Sequence, residues 1–129
     1  MTKAFLTLTL IPDTFAICTV DPTAAIPEWA SQGTFFSITK APDELSIVCS
    51  AAYVPDHVKA ERGWRAFKFE GPLDIELTGV VASVAAPLAN AGVSIFPLAT
   101  YGTDYILVKE EQLESATRAL TAFGHAVRE

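Results

Sequence analysis

The chain is predicted to be an α+β protein whose antiparallel sheets carry helices on one face, and three features of the sequence predict it. Leucine alternates with threonine through Phe5-Leu6-Thr7-Leu8-Thr9-Leu10, and period-two runs of this kind recur along the chain. Two segments instead space their apolar residues as buried helical stripes: Val80, Val81, Val84, Leu88 and Ala91, then Leu113, Ala116, Leu120 and Phe123. Read in order, residues 63–129 spell β, α, β, β, α, β, and residues 1–62 spell β, β, α, β, β. The first half therefore reads as a shortened copy of the second with an extra leading strand.

The elements follow from local chemistry. Ile11-Pro12-Asp13 supplies a turn between the leading strand and the run Phe15 to Val20, which predicts a hairpin. Asp21-Pro22-Thr23 offers an N-cap and a first-turn proline for a short helix in which Ile26, Trp29 and Ala30 share a face, with Gly33 ending it. Residues 34–38 and 45–51 are β-branched and aromatic runs joined by the turn Lys40-Ala41-Pro42-Asp43-Glu44. The polar stretch from Val54 to Gly63 holds at most one weak helical turn, and it is the expected boundary between domains 1–62 and 63–129.

Beyond it, Arg65-Ala66-Phe67-Lys68-Phe69 alternates as a strand and Gly71-Pro72 breaks it. A helix is expected from Thr78 to the stop at Gly92, with a kink at Pro87, where a backbone donor is missing. Strands at 93–100 and 105–109 flank the turn Tyr101-Gly102-Thr103-Asp104. Glu110-Glu111 opens the second helix, Gly124 closes it, and His125-Ala126-Val127 forms a short last strand.

Composition excludes several function classes. Of 129 residues half are apolar, and 9 Lys and Arg stand against 15 Asp and Glu for a net charge of −6. The deficit is even along the chain, so no basic half exists to neutralise phosphates, and nucleic acid is excluded as a partner. No apolar run approaches the ~20 residues of a membrane span and the first residues lack a signal peptide's pattern, so a cytoplasmic protein is expected. Cys18 and Cys49 sit in apolar strand runs without redox or metal spacing, and both read as buried free thiols. His57 and His125 complete no ligand set, and no nucleophile pairs with a histidine in a recognisable motif. No catalytic residue, metal or cofactor is expected.

The stretch Gly71-Pro72-Leu73-Asp74-Ile75-Glu76-Leu77-Thr78-Gly79 and the run from Ala86-Pro87 through Gly92-Val93-Ser94-Ile95-Phe96-Pro97 to Tyr105-Ile106-Leu107-Val108 resemble the ACT domains of aspartokinases. They resemble still more the small bacterial tandem-ACT proteins and the Castor-type arginine sensors of animal cells. Glu44-Leu45-Ser46-Ile47-Val48-Cys49 and Gly63-Trp64-Arg65 fit the same family, so the resemblance spans about residues 34–124. It implies two tandem ACT-like, ferredoxin-like βαββαβ units, the first degenerate, and a non-catalytic regulator or sensor that binds an amino acid and acts through a protein partner. A monomer or homodimer is expected, since the fused pair already satisfies the tendency of such units to pair.

ACT ligands commonly lie where the loop after the first strand meets a neighbouring unit, which here gives Asp74, Ile75, Glu76, Leu77, Thr78 and Gly79. Gly79 at a helix start leaves amides bare for a carboxylate, although it also serves as a simple tight turn with Thr78 as cap. By resemblance the pocket also includes Thr100 and Asp104, with Ser46, Ile47 and Val48 as an opposite wall. Asp74, Glu76 and Asp104 are the acids available to a ligand ammonium. A Gly79→Val protein is expected to fold yet lose ligand. The alternative is an ACT-like interaction module with no ligand.

Overall fold

A computed structural model of the chain describes residues 5–71 and 78–129. By contacts the chain forms two units, one of residues 1–12 with 65–129 and the other of residues 13–64. The first twelve residues thus group with the C-terminal part of the chain, whereas the expected division kept them with the N-terminal part.

In the larger unit, β1 (Thr7–Leu10) pairs antiparallel with the end of β5 (Ala60–Phe69) and parallel with β8 (Ala126–Arg128). With β6 (Ile95–Ala99) and β7 (Asp104–Lys109) the strand order is β6-β7-β5-β1-β8. Pro97 falls in β6, where a missing donor costs little because β6 pairs only with β7 among the described residues. Two helices, α1 (Val80–Asn90) and α2 (Leu113–Phe123), supply the rest of this unit's core. Leu8, Phe67, Phe69, Val84, Leu88, Ile106, Val108, Ala116 and Leu120 are all fully buried there. Each large member contributes roughly 1.5–3 kcal/mol by leaving water.

The helical stripes hold at Val80, Val84 and Leu88 and at Ala116 and Leu120, while Val81 is 38 % exposed and Ala91 lies at the surface. At the end of α1, Val93 donates to the Leu88 carbonyl at 2.9 Å, which closes the helix as Gly92 predicts. The helix continues through Pro87 to Asn90. A turn of 3-10 helix over Glu110–Gln112 precedes α2, so the acidic pair opens that turn and α2 begins at Leu113.

The smaller unit is built from β2 (Phe15–Val20), β3 (Ser37–Ala41), β4 (Glu44–Ser50) and the start of β5, in the order β3-β4-β2-β5. Its core gathers Ala16, Cys18, Ala30, Ile47, Cys49 and Val54, and Phe35 meets Phe15 edge to face at 5.6 Å between ring centres. The hairpin predicted between β3 and β4 is present, in register from Ala41 opposite Glu44 to Ser37 opposite Val48.

Two local expectations are overturned. β1 and β2 form no hairpin with each other: β1 pairs with Phe67, Lys68 and Phe69 of β5, and β2 with Ala60, Glu61 and Trp64 of the same strand. Alternation marks a strand and its buried face but carries no information about the partner edge. The helix expected after Asp21 is reduced to one 3-10 turn at Glu28–Ser31. Asp21 caps a turn instead, accepting from the Thr23 amide at 2.9 Å and the Thr23 hydroxyl at 2.7 Å. Pro27, extended at ψ 147°, holds Ile26 out of helical geometry, and Ile26 is 57 % exposed instead of sharing a face with Trp29 and Ala30.

Candidate functional site

Gly79 sits at the N-terminus of α1 with φ +76°, in the left-handed region that glycine adopts without a Cβ penalty. The N-cap itself has no side chain, so among the described residues no N-cap side chain takes up the first-turn amides. Thr78 and Gly79 are both exposed, and among the described residues a Cβ on Gly79 would meet nothing within 4 Å. The backbone angle is one that valine rarely adopts, so a Gly79→Val substitution is strained there. The N-cap position of α1 is taken by Gly79, one residue after Thr78. Asp74, Ile75, Glu76 and Leu77 lie outside the described residues.

Thr100 and Asp104 come together at the β6–β7 turn. The Thr100 hydroxyl donates to the Thr103 carbonyl at 2.8 Å, and the Thr100 amide donates to the same oxygen at 2.9 Å. That hydroxyl is therefore occupied in shaping the turn. Asp104 begins β7 opposite Ala99 and is half-buried. Thr103, itself buried, donates to the Phe69 carbonyl at 2.6 Å and so ties the turn to β5.

Beside this turn lies a cleft of about 400 Å³ lined by Lys68, Glu70, Gly71, Thr100, Thr103 and Tyr105. Glu70 accepts from the Thr9 hydroxyl at 2.6 Å, Arg128 lies 3.5 Å from its other oxygen, and Arg128 also donates to Thr9 at 3.1 Å. The Thr9 hydrogen bond first, and the Arg128 charge after it, hold the Glu70 carboxyl below the usual glutamate range. The cleft thus places a carboxylate and an ammonium on its lining, with the Glu70 carboxylate engaged by Thr9 and Arg128. Sequence reasoning passed over Lys68 and Glu70, although the alternation Phe67-Lys68-Phe69-Glu70 already puts them on the face opposite the core.

Ser46, Ile47 and Val48 belong to β4 of the smaller unit. Ile47 and Val48, 0 % and 2 % exposed, are buried there, while Ser46 is half-buried between Thr19 and Thr39. Cys18 and Cys49 are free and buried. The hydrogen bond between the two thiols lowers Cys18 and raises Cys49, and burial adds to the rise. Among the described residues no group of three or more His, Cys, Asp and Glu is arranged to hold a metal, and no helix is long and apolar enough to cross a membrane.

Comparison with known proteins agrees with the architecture. Residues 59–122 match the family model of the ACT domain, and residues 13–57 match the N-terminal domain of a second family. The crystal structure of protein Atu0741 from Agrobacterium tumefaciens is 38 % identical, covers 98 % of this chain and 95 % of its own, and superposes with a TM-score of 0.92. The cytosolic arginine sensor for mTORC1 subunit 1 of Bos taurus is 30 % identical over 70 % of this chain and 31 % of its own length. The regulatory subunit of aspartate kinase from Thermus flavus shares the fold at 13 % identity, with coverage of 94 % and 99 % and a TM-score of 0.63. The chain covers less than two thirds of the length of the curated relatives it matches. Helices, strand pairings and family match converge over residues 59–122, and this part of the chain belongs to the ACT domain family.

Proposed function

We propose that the protein is a non-catalytic regulator that binds an amino acid and passes the signal to a protein partner. The observation that carries this reading is the start of α1, where a left-handed Gly79 leaves the first amides without a side-chain cap among the described residues. A helix N-terminus of this kind favours a carboxylate through its free N–H groups and its dipole. Residues 74–79, with Thr100 and Asp104, form the proposed ligand site, and Asp74, Glu76 or Asp104 meets the ammonium. The names of two relatives, an arginine sensor and a kinase regulatory subunit, support regulation over catalysis. We assign the protein to the cytoplasm as a monomer or homodimer.

The same reading treats residues 13–64 as a reduced ACT-like unit. Their order β3-β4-β2-β5 matches the βαββαβ sheet with both helices cut to 3-10 turns, at Glu28–Ser31 and Ala51–Tyr53. A second reading, an interaction module without ligand, draws on the Thr100 hydroxyl being occupied and on Ile47 and Val48 being buried.

Thermal-shift measurements across the twenty amino acids separate the two. A ligand that binds only the folded state raises stability by RT ln(1 + [L]/Kd), about 2.7 kcal/mol at a hundred times Kd. At least one amino acid is expected to raise Tm, and Gly79→Asn, which tolerates a left-handed backbone, is expected to abolish the shift. No shift with any amino acid overturns ligand binding and leaves the interaction module.

A further inference from the structure

A second concavity, of about 520 Å³, lies between β1, the turn before α2, α2 and β8. Its floor is apolar: Leu10, Leu113 and Val127 are partly buried and rest on the core. Its rim is acidic, with Glu110, Glu111, Glu114 and Glu129 all exposed, and among the described residues no lysine or arginine lines it. The nearby Arg118 reaches Glu114 only at 3.9 Å, with both side chains more than 70 % exposed, so it neutralises little of this charge.

Charge decides what fits. A second copy of a chain with net charge −6 brings its own glutamates to the same surface, and facing like charges oppose that pairing. Nucleic acid is repelled for the same reason. Apolar side chains gain by covering the floor, and flanking cations gain by meeting the rim.

We propose that this groove docks a segment of a partner protein in which one or two apolar side chains are flanked by lysine or arginine. The apolar anchors cover Leu10, Leu113 and Val127, and the cations meet Glu110, Glu111 and Glu114. The lining of this groove shares no residue with the amino-acid site proposed at the start of α1.

The test is fluorescence anisotropy of the whole protein with a short labelled peptide of alternating leucine and lysine, beside a leucine–glutamate peptide. Saturable binding of the lysine peptide alone is expected, weakening as salt rises. Glu110→Gln, Glu111→Gln and Glu114→Gln combined should weaken it on the order of tenfold. Thr117→Lys, which adds one cation at the groove with little demand on folding, should weaken it as well. Asp43→Asn, Glu44→Gln and Asp56→Asn combined, exposed acids of the other unit, should leave it within about twofold, and melting curves check that each variant is folded. Equal loss in both acid triples, an unaffected Thr117→Lys, or no saturable binding overturns the proposal. Calorimetry with an amino acid reads the other site, so failure of either reading leaves the other standing.

Discussion

The imidazole of His125 donates from Nε2 to the Ser83 carbonyl at 2.8 Å and fills the acceptor that Pro87 leaves open in α1. Its Nδ1 accepts from the Leu6 amide at 3.0 Å, so the proton lies on Nε2. One buried side chain, 3 % exposed, thereby ties the approach to β1, helix α1 and the end of α2. His125→Ala leaves two part-buried polar groups, the Leu6 amide and the Ser83 carbonyl, without this partner and should cost roughly 1–3 kcal/mol in urea denaturation. Pro87→Ala restores a helical donor to Ser83 and should recover about 1 kcal/mol of that loss. Strictly additive energies in the double-mutant cycle would show that the two residues do not share this carbonyl.

Glu70 sets an acid-side dependence of stability. Its carboxyl is held below its unfolded range by the Thr9 hydroxyl and by Arg128, so the stabilisation is complete above the ordinary glutamate range. It is lost as pH falls through the lower folded value. Urea midpoints of wild type and Glu70→Gln should therefore differ near neutrality and converge in acid. A constant difference at every pH would remove Glu70 as the titrating group.

Cys18 and Cys49 should behave as inert thiols in the folded protein. Both are buried, 2 % and 0 % exposed, among Ala16, Ala30, Ile47 and Val54. A thiol reagent should react slowly with native protein and rapidly at both positions in denaturant. Fast reaction at Cys18 without denaturant would reveal opening of the β2–β4 region.

Gly79 separates space from backbone strain. With no atom of the described residues within 4 Å of the position a Cβ would take but φ at +76°, Gly79→Val should destabilise by about 1–2 kcal/mol, and Gly79→Asn by less. Chemical denaturation of both variants measures it. Equal stability of Val and wild type would place residue 79 in another conformation.

Strands, helices and the acidic balance were legible in the sequence because each is written in a local window. Alternation at Thr7–Leu10 and at Phe67-Lys68-Phe69 marked buried faces, and the stripes at Val80, Val84 and Leu88 and at Ala116 and Leu120 marked the helices. The residues that carry the family resemblance identified the ACT architecture. Tertiary structure alone decided that β1 joins β5 and β8, that Asp21 caps a turn in place of a helix, and that His125 is buried. It also put Lys68, Glu70 and Tyr105 on one cleft. The physical reason is range: a side-chain period states which face leaves water, whereas edge pairing and the Leu6–His125 and Ser83–His125 hydrogen bonds join residues far apart in the chain.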